Sequence, residues 1–285
     1  MSERSYPLSI GGIRCLAVSD AAATRVTSVS SFSLQAPTET LNAALCQYGA
    51  TVDEMPLEFN CLLIESGGQR VLVDAGSGPT PDEPDLGQLT AHLRAAGIAP
   101  ADIDVVVISH MHWDHLGGAF TAQDKPAFPK ARYLVGRADW EHWLAAPNKP
   151  PLDEASFNRT HNIGKRALQA LRERVELVED GAQVIPGVRI VAAPGHTPGH
   201  LAVAVTDAGQ GLLFVGDAIY HPIQIDHPDW CSLYDSDPAQ AERTKRKLLD
   251  LATSKNMLLM LAHGAPLPGI GRVTRVGAGW RWQPL

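Results

Sequence analysis

The chain has 285 residues, 45% hydrophobic and 19% charged, with a formal net charge of −7. That length and apolar content suit one domain spanning 1–285, and the negative balance gives no electrostatic footprint for nucleic acid. No apolar run reaches membrane-span length, Met1–Pro7 lacks the apolar core of a signal peptide, and the scattered Cys15, Cys46, Cys61 and Cys231 suggest reduced, mostly buried thiols in a cytoplasmic protein.

In chain order, Thr24–Leu57 reads as polar and irregular, a candidate lid or dimer arm. Cys61–Ile64 and Val71–Val73 read as a hairpin around Ser66-Gly67-Gly68. Leu86–Ala96 has helical spacing and stops at Gly97. Val105–Ile108 and Tyr133–Val135 read as strands, and Ala138–Leu144 and Ile163–Val175 as helices. Strands then dominate to Gly216, and Pro238–Ala252 is helical, with the basic run 243–247 on a solvated face. Strands followed by helices, repeated once, predict an α+β fold arranged as a four-layer αβ/βα sandwich.

Chemistry concentrates at strand ends. Val105–Ile108 runs into His110-Met111-His112-Trp113-Asp114-His115, three imidazoles and a carboxylate in six residues. These are ligand types for zinc and similar divalent ions. His110 and His112 can point the same way from an extended chain. Val188–Ala193 leads into Pro194–His200, which carries His196 and His200. Gly211–Gly216 leads into Asp217, and Met257–Ala262 into His263. Polar residues at strand ends along one sheet edge converge on one site.

In this HxHxDH motif, the later Gly-His, the strand-end Asp and the final His, the chain resembles the metallo-β-lactamase-fold hydrolases with two complete metal sites. The resemblance runs from Asn60 to the C-terminus. It implies that His110, His112 and His196 hold one divalent ion. Asp114, His115 and His263 would hold the other, with Asp217 between them and Asp74 orienting a ligand. Zn2+ is favoured, with Fe, Mn or Co compatible. An Asp at position 217 is unlike the true β-lactamases. Asp217-Ala218-Ile219-Tyr220 is similar to the N-acyl homoserine lactonases, in which such a Tyr polarises the lactone carbonyl. Ala262–Gly271, Ile223–Pro228, Asp235–Asp237 and Val276–Trp282 are similar to the methyl parathion hydrolase group.

The implied activity is hydrolysis of lactones or related carboxylic esters by hydroxide bridging two ions. Tyr220 would be an oxyanion donor, and Asp114 both ligand and proton shuttle to the leaving group. An organophosphate triester hydrolase and a non-hydrolytic iron-binding redox protein are the alternatives. The partner is a small molecule, with neither nucleic acid nor membrane, and a homodimer is compatible with the resemblance. Trp113, Phe120, Trp140, Trp143 and Trp230 are candidates for an apolar pocket wall. His200 is expected to support the site, and His221 and His227 are open between cleft and packing roles.

Overall fold

Unbroken β-branched runs are suited to strands covered on both faces. In the computed structural model, which describes residues 4–31, 34, 36–145 and 154–285, Val105–Ile108 is such a strand, fully enclosed. The first part of the chain forms β1 (Ser5–Ile10), β2 (Ile13–Ser19), β3 (Arg25–Thr27), β4 (Met55–Leu57), β5 (Asn60–Ser66), β6 (Gln69–Val73), β7 (Val105–Ile108), β8 (Arg132–Gly136) and β9 (Val175–Val178). The second part forms β10 (Gln183–Ile185), β11 (Val188–Ala192), β12 (Leu201–Asp207), β13 (Gln210–Phe214), β14 (Leu258–Met260), β15 (Ile270–Val276) and β16 (Gly279–Pro284). Among the described residues these make two seven-stranded sheets, ordered β1-β2-β5-β6-β7-β8-β9 and β10 through β16, with β3 and β4 as a separate ribbon. The first sheet turns parallel from β6 to β9. The second is antiparallel except where β13 lies parallel to β14.

The helices are α1 (Thr38–Leu45), α2 (Leu89–Ala95), α3 (Trp113–Leu116), α4 (Arg137–Leu144), α5 (Glu154–Ala170), α6 (Ile223–Asp226) and α7 (Pro238–Ser254). The two sheets meet face to face: Ile64, Val73 and Val107 of one share a core with Val203, Val205 and Phe214 of the other. Full burial of each such side chain is worth roughly 1.5–3 kcal/mol. Leu93 of α2 and Ala167 of α5 pack the outer face of the first sheet. Leu248, Leu249 and Ala252 of α7 pack that of the second. The architecture is therefore the expected four-layer αβ/βα sandwich. Among the described residues, no helix is long and apolar enough to cross a membrane.

Three expectations need correction. The helix placed at Ile163–Val175 starts at Glu154 and ends at Ala170; Val175 opens β9, which pairs in parallel with β8. Thr24–Leu57 is not irregular: Leu41, Ala44 and Leu45 lie at helical spacing and, with Met55, form an apolar cluster against Tyr220, Ile223 and Trp230. Residues 32, 33 and 35 of that stretch lie outside the described ones. Lys245 is not on a solvated face. It shares the inner face of α7 with Ala241, Leu248, Leu249 and Ala252 and is 1% exposed. Of the cysteines, Cys15, Cys61 and Cys231 are buried free thiols, and Cys46 is exposed.

Candidate metal centre

Parallel strands leave their carboxyl-terminal loops on one edge, and the first donors come from there. Asp74 follows β6, and the hexad follows β7 and opens α3. Gly117-Gly118 then lets this turn press against the Asp74 loop: a Cβ on either glycine would collide with the backbone carbonyl of Ser77 or Ala75. Asp74 itself adopts φ +65°, a left-handed conformation that Asp tolerates better than most residues. The second sheet delivers His196 after β11, Asp217 after β13 and His263 after β14.

All seven expected donors come together, in two groups. In the first, His112 Nδ1 lies 3.0 Å from His110 Nε2 and 2.9 Å from His196 Nε2. In the second, His115 Nε2 lies 3.3 Å from His263 Nε2, and Asp114 Oδ2 lies 3.4 Å from His263 and 3.7 Å from His115. Asp217 spans the two. Its Oδ1 is 3.1 Å and 3.2 Å from Nε2 of His115 and His263, and its Oδ2 is 3.7 Å from Nε2 of both His110 and His196. Although buried, Asp217 Oδ1 has no hydrogen bond of good geometry.

The electrostatics differ between the groups. Burial holds His110 neutral, with its pKa well below the usual value, and His115 adds to the effect. Burial, then His196, lowers His112 to about 3. These rings present lone pairs. In the second group, burial opposes charge on His115, but Asp217, Asp114 and Asp74 together outweigh it and raise its pKa. His263 is likewise raised to about 10, against burial, by Asp217 and Asp114. A field that holds positive charge so strongly suits a cation. With imidazole nitrogens at tetrahedral-like spacing (about 3.3 Å between donors for a Zn–N bond of 2.0–2.1 Å), the donor set fits two divalent first-row ions.

The outer nitrogens are also held. Asp74 Oδ2 lies 2.7 Å from His115 Nδ1 and accepts from Ser109 Oγ, which sits 3.1 Å from His110 Nδ1. The Glu58 carbonyl stands 2.5 Å from His263 Nδ1. His200 Nε2 accepts from Asp217 N–H at 3.1 Å, so His200 supports the spanning aspartate from behind. His221 is buried, accepts from Ile223 N–H at 3.1 Å, and is lowered to about 3 by burial; it is a packed ring. His227 stacks on Trp230 at 3.9 Å.

Sequence reasoning missed three buried residues here. Asp139 accepts from Met111 N–H, Gly199 N–H and Thr197 Oγ1, tying both histidine loops together. Asp235 Oδ1 lies 3.2 Å from His196 Nδ1. Phe59 meets His263 edge-on at 5.2 Å and Trp113 at 6.2 Å. Among the expected wall aromatics, Trp113 stands beside the centre, capped by Arg159 at 3.5 Å, whereas Phe120, Trp140 and Trp143 pack in the outer core of the first sheet. Trp230 joins the α1 cluster. Tyr220 Oη reaches 2.8 Å from His196 Nδ1 and 3.3 Å from Nε2. Burial, then Asp217, raises its pKa well above the usual value, so the hydroxyl keeps its proton.

The sequence profile of the metallo-beta-lactamase superfamily matches residues 57–263. The chain is similar to the N-acyl homoserine lactonase AiiA of Bacillus thuringiensis subsp. kurstaki, at 23% identity over 222 residues, 71% of this chain and 80% of that protein. Among solved structures, the dizinc quorum-quenching lactonase AidC superposes with a TM-score of 0.86 at 23% identity, covering 100% of this chain and 99% of the other. The hydrolase AbOPH, of the beta lactamase superfamily, does so with a TM-score of 0.86 at 24% identity, covering 100% and 98%.

Proposed function

The chain belongs to the metallo-beta-lactamase superfamily, and from that premise we propose that it is a dinuclear, zinc-favouring hydrolase of lactones or related carboxylic esters. The observation that carries the reading is Asp217, whose two oxygens face separate donor groups, with the Tyr220 hydroxyl beside His196. In this reading His110, His112 and His196 would hold one ion, Asp114, His115 and His263 the other, and Asp217 would serve both groups. Two such ions, when bound, would supply Lewis acidity and lower the pKa of water at the centre toward neutrality. The residues do the rest. Asp217 fixes the spacing of the two donor groups. Tyr220, kept protonated, donates to the carbonyl oxygen as it gains charge, a contribution of roughly 2–4 kcal/mol. Asp114, in the first turn of α3, would take the proton given up by the attacking water and return it to the leaving alkoxide. Phe59 and Trp113 offer an apolar wall for an acyl group, and Arg159 over Trp113 holds that wall in place. Likeness to AiiA supports the ester class.

The test is a matched panel on metal-loaded protein: an acyl homoserine lactone, an aryl lactone, an aryl ester and a methyl phosphotriester. Lactone turnover far above the others is expected. Phosphotriester dominance would replace the reading by an organophosphate hydrolase on the same centre. Iron content with a visible absorption band and no turnover on any of the four would replace it by a redox protein.

A further inference from the structure

Lys245 is a long cation buried in the core face of a helix, and such a group persists only where its charge is answered. Its Nζ lies 3.5 Å from Asp235 Oδ2 and 3.3 Å from Cys231 Sγ. Asp235, 6% exposed, turns its other oxygen to His196 Nδ1 at 3.2 Å, while Oδ2 also accepts from Ser232 N–H at 3.0 Å. A continuous line thus runs from the inner face of α7, through one carboxylate, to a histidine of the first donor group.

The backbone around this line is stitched to match. Ser236 N–H donates to the His196 carbonyl at 3.0 Å, Asp237 N–H to the Gly195 carbonyl at 2.9 Å, and Ser236 Oγ to the same Gly195 carbonyl at 3.0 Å. Thr244, one residue before Lys245, donates from Oγ1 to the Pro194 carbonyl. Segment 232–237, the first turns of α7 and Pro194–His196 therefore form one unit. Tyr220 Oη is nearer to Nδ1, at 2.8 Å, but is also 3.3 Å from Nε2, so it stands beside the ring, off the Nδ1–H axis. Asp235 is the carboxylate left to accept that proton.

We propose that Asp235 and Lys245 act as a pair of positioning residues for His196. Asp235 accepts Nδ1–H, which fixes the ring's orientation and leaves the Nε2 lone pair facing the first donor group. Lys245 answers the charge of Asp235 and holds it in place from the far side. The inference rests on the assignment of His196 as a ligand, so its test reads metal binding and not hydrolysis.

Zinc(II) is titrated into chelator-stripped full-length protein against a chromophoric competitor, and the two binding steps are resolved for wild type, Asp235→Asn, Lys245→Met and the double variant. Asp235→Asn should weaken one of the two steps about 10–100-fold, the usual effect of losing a histidine's outer carboxylate, and leave the other unchanged. Lys245→Met should weaken that same step, and the double variant should be no worse than Asp235→Asn. A purely structural pair would lower the melting temperature without separating the two zinc steps. Two wild-type steps in folded Asp235→Asn would overturn the proposal, as would full additivity in the double variant. If Asp235→Asn does not fold, Lys245→Met alone decides by whether one step weakens selectively. Wild-type protein with no zinc affinity would overturn both this inference and the dinuclear reading. Tight zinc binding without lactone turnover bears on the lactonase reading alone.

Discussion

The two donor groups share Asp217 and differ in what stands behind them. Behind His115 and His263 the support is rooted in the first sheet: Asp74 closes β6, and the Glu58 carbonyl lies just ahead of β5. Behind His196 the support is a loop, fixed by a charge from α7, which packs on the outer face of the second sheet. The second group is also ringed by carboxylates, whereas the first is mostly imidazole and opens toward Tyr220. The contrast assigns a division of labour. The second group takes its outer partners from the first sheet and faces more carboxylates, whereas the first combines His110, backed by Ser109 and Asp74, with His196, backed by a loop.

Asp217→Ala tests what joins the groups and should have the largest effect. Both metal equivalents should weaken, and turnover should fall by about 10³-fold or more, roughly 4 kcal/mol of barrier. Elemental analysis of dialysed protein together with rate measurement checks this; two retained equivalents at wild-type rate would dissolve the idea of a shared carboxylate. His112→Ala separates the groups. It should remove one equivalent and most activity while leaving the fold intact, because the ring sits half-buried at the cleft. Unchanged turnover with both ions retained would remove His112 from the centre.

Tyr220→Phe should cost about 10²-fold in lactone turnover with metal content unchanged, since it removes one oxyanion donor. Equal rates would assign Tyr220 to packing. Asp74→Asn sharpens the contrast from the other side, with a zinc affinity about 10–100-fold weaker at one step. That step should differ from the one weakened by Asp235→Asn. If both substitutions weaken the same step, the two supports do not serve separate groups.

How far the sequence anticipates this centre depends on what each residue needs from its neighbours. The hexad, His196, Asp217 and His263 carry their chemistry in residue type and position after an apolar run, and the structure brings them together. The strands Val71–Val73 and Val105–Ile108 are legible because a short, continuous apolar run rich in β-branched residues suits a strand enclosed on both faces and is too short for a buried helix. The α5 boundaries are not, because Arg172–Arg174 continues a helix-compatible composition into the turn before β9. Asp139 and Asp235 look like ordinary acids near a helix start, and only the approach of distant loops gives them work. Lys245 does leave a trace. It shares the register of Ala241, Leu248, Leu249 and Ala252, so helical periodicity places it inward, but its basic neighbours at 243, 246 and 247 mask that signal.

The smallest predicted effect probes how soft the loop-borne support is. Asp237 caps α7: its Oδ1 accepts from Gln240 N–H at 2.9 Å, with Pro238 at the first helical position. Asp237→Ala should cost about 1 kcal/mol and lower the melting temperature by about 2–4 °C. The backbone bonds from Ser236 and Asp237 to His196 and Gly195 do not use the lost carboxylate. Both zinc steps should therefore stay within about threefold of wild type, far less than the 10–100-fold for removing a contacting carboxylate. Calorimetry and the zinc competition on one preparation check the two halves of this expectation. A selective loss at the step that Asp235→Asn weakens would mean that the first donor group takes its order from the whole helix start, and the contrast between the groups would be larger than the contacts at His196 alone require.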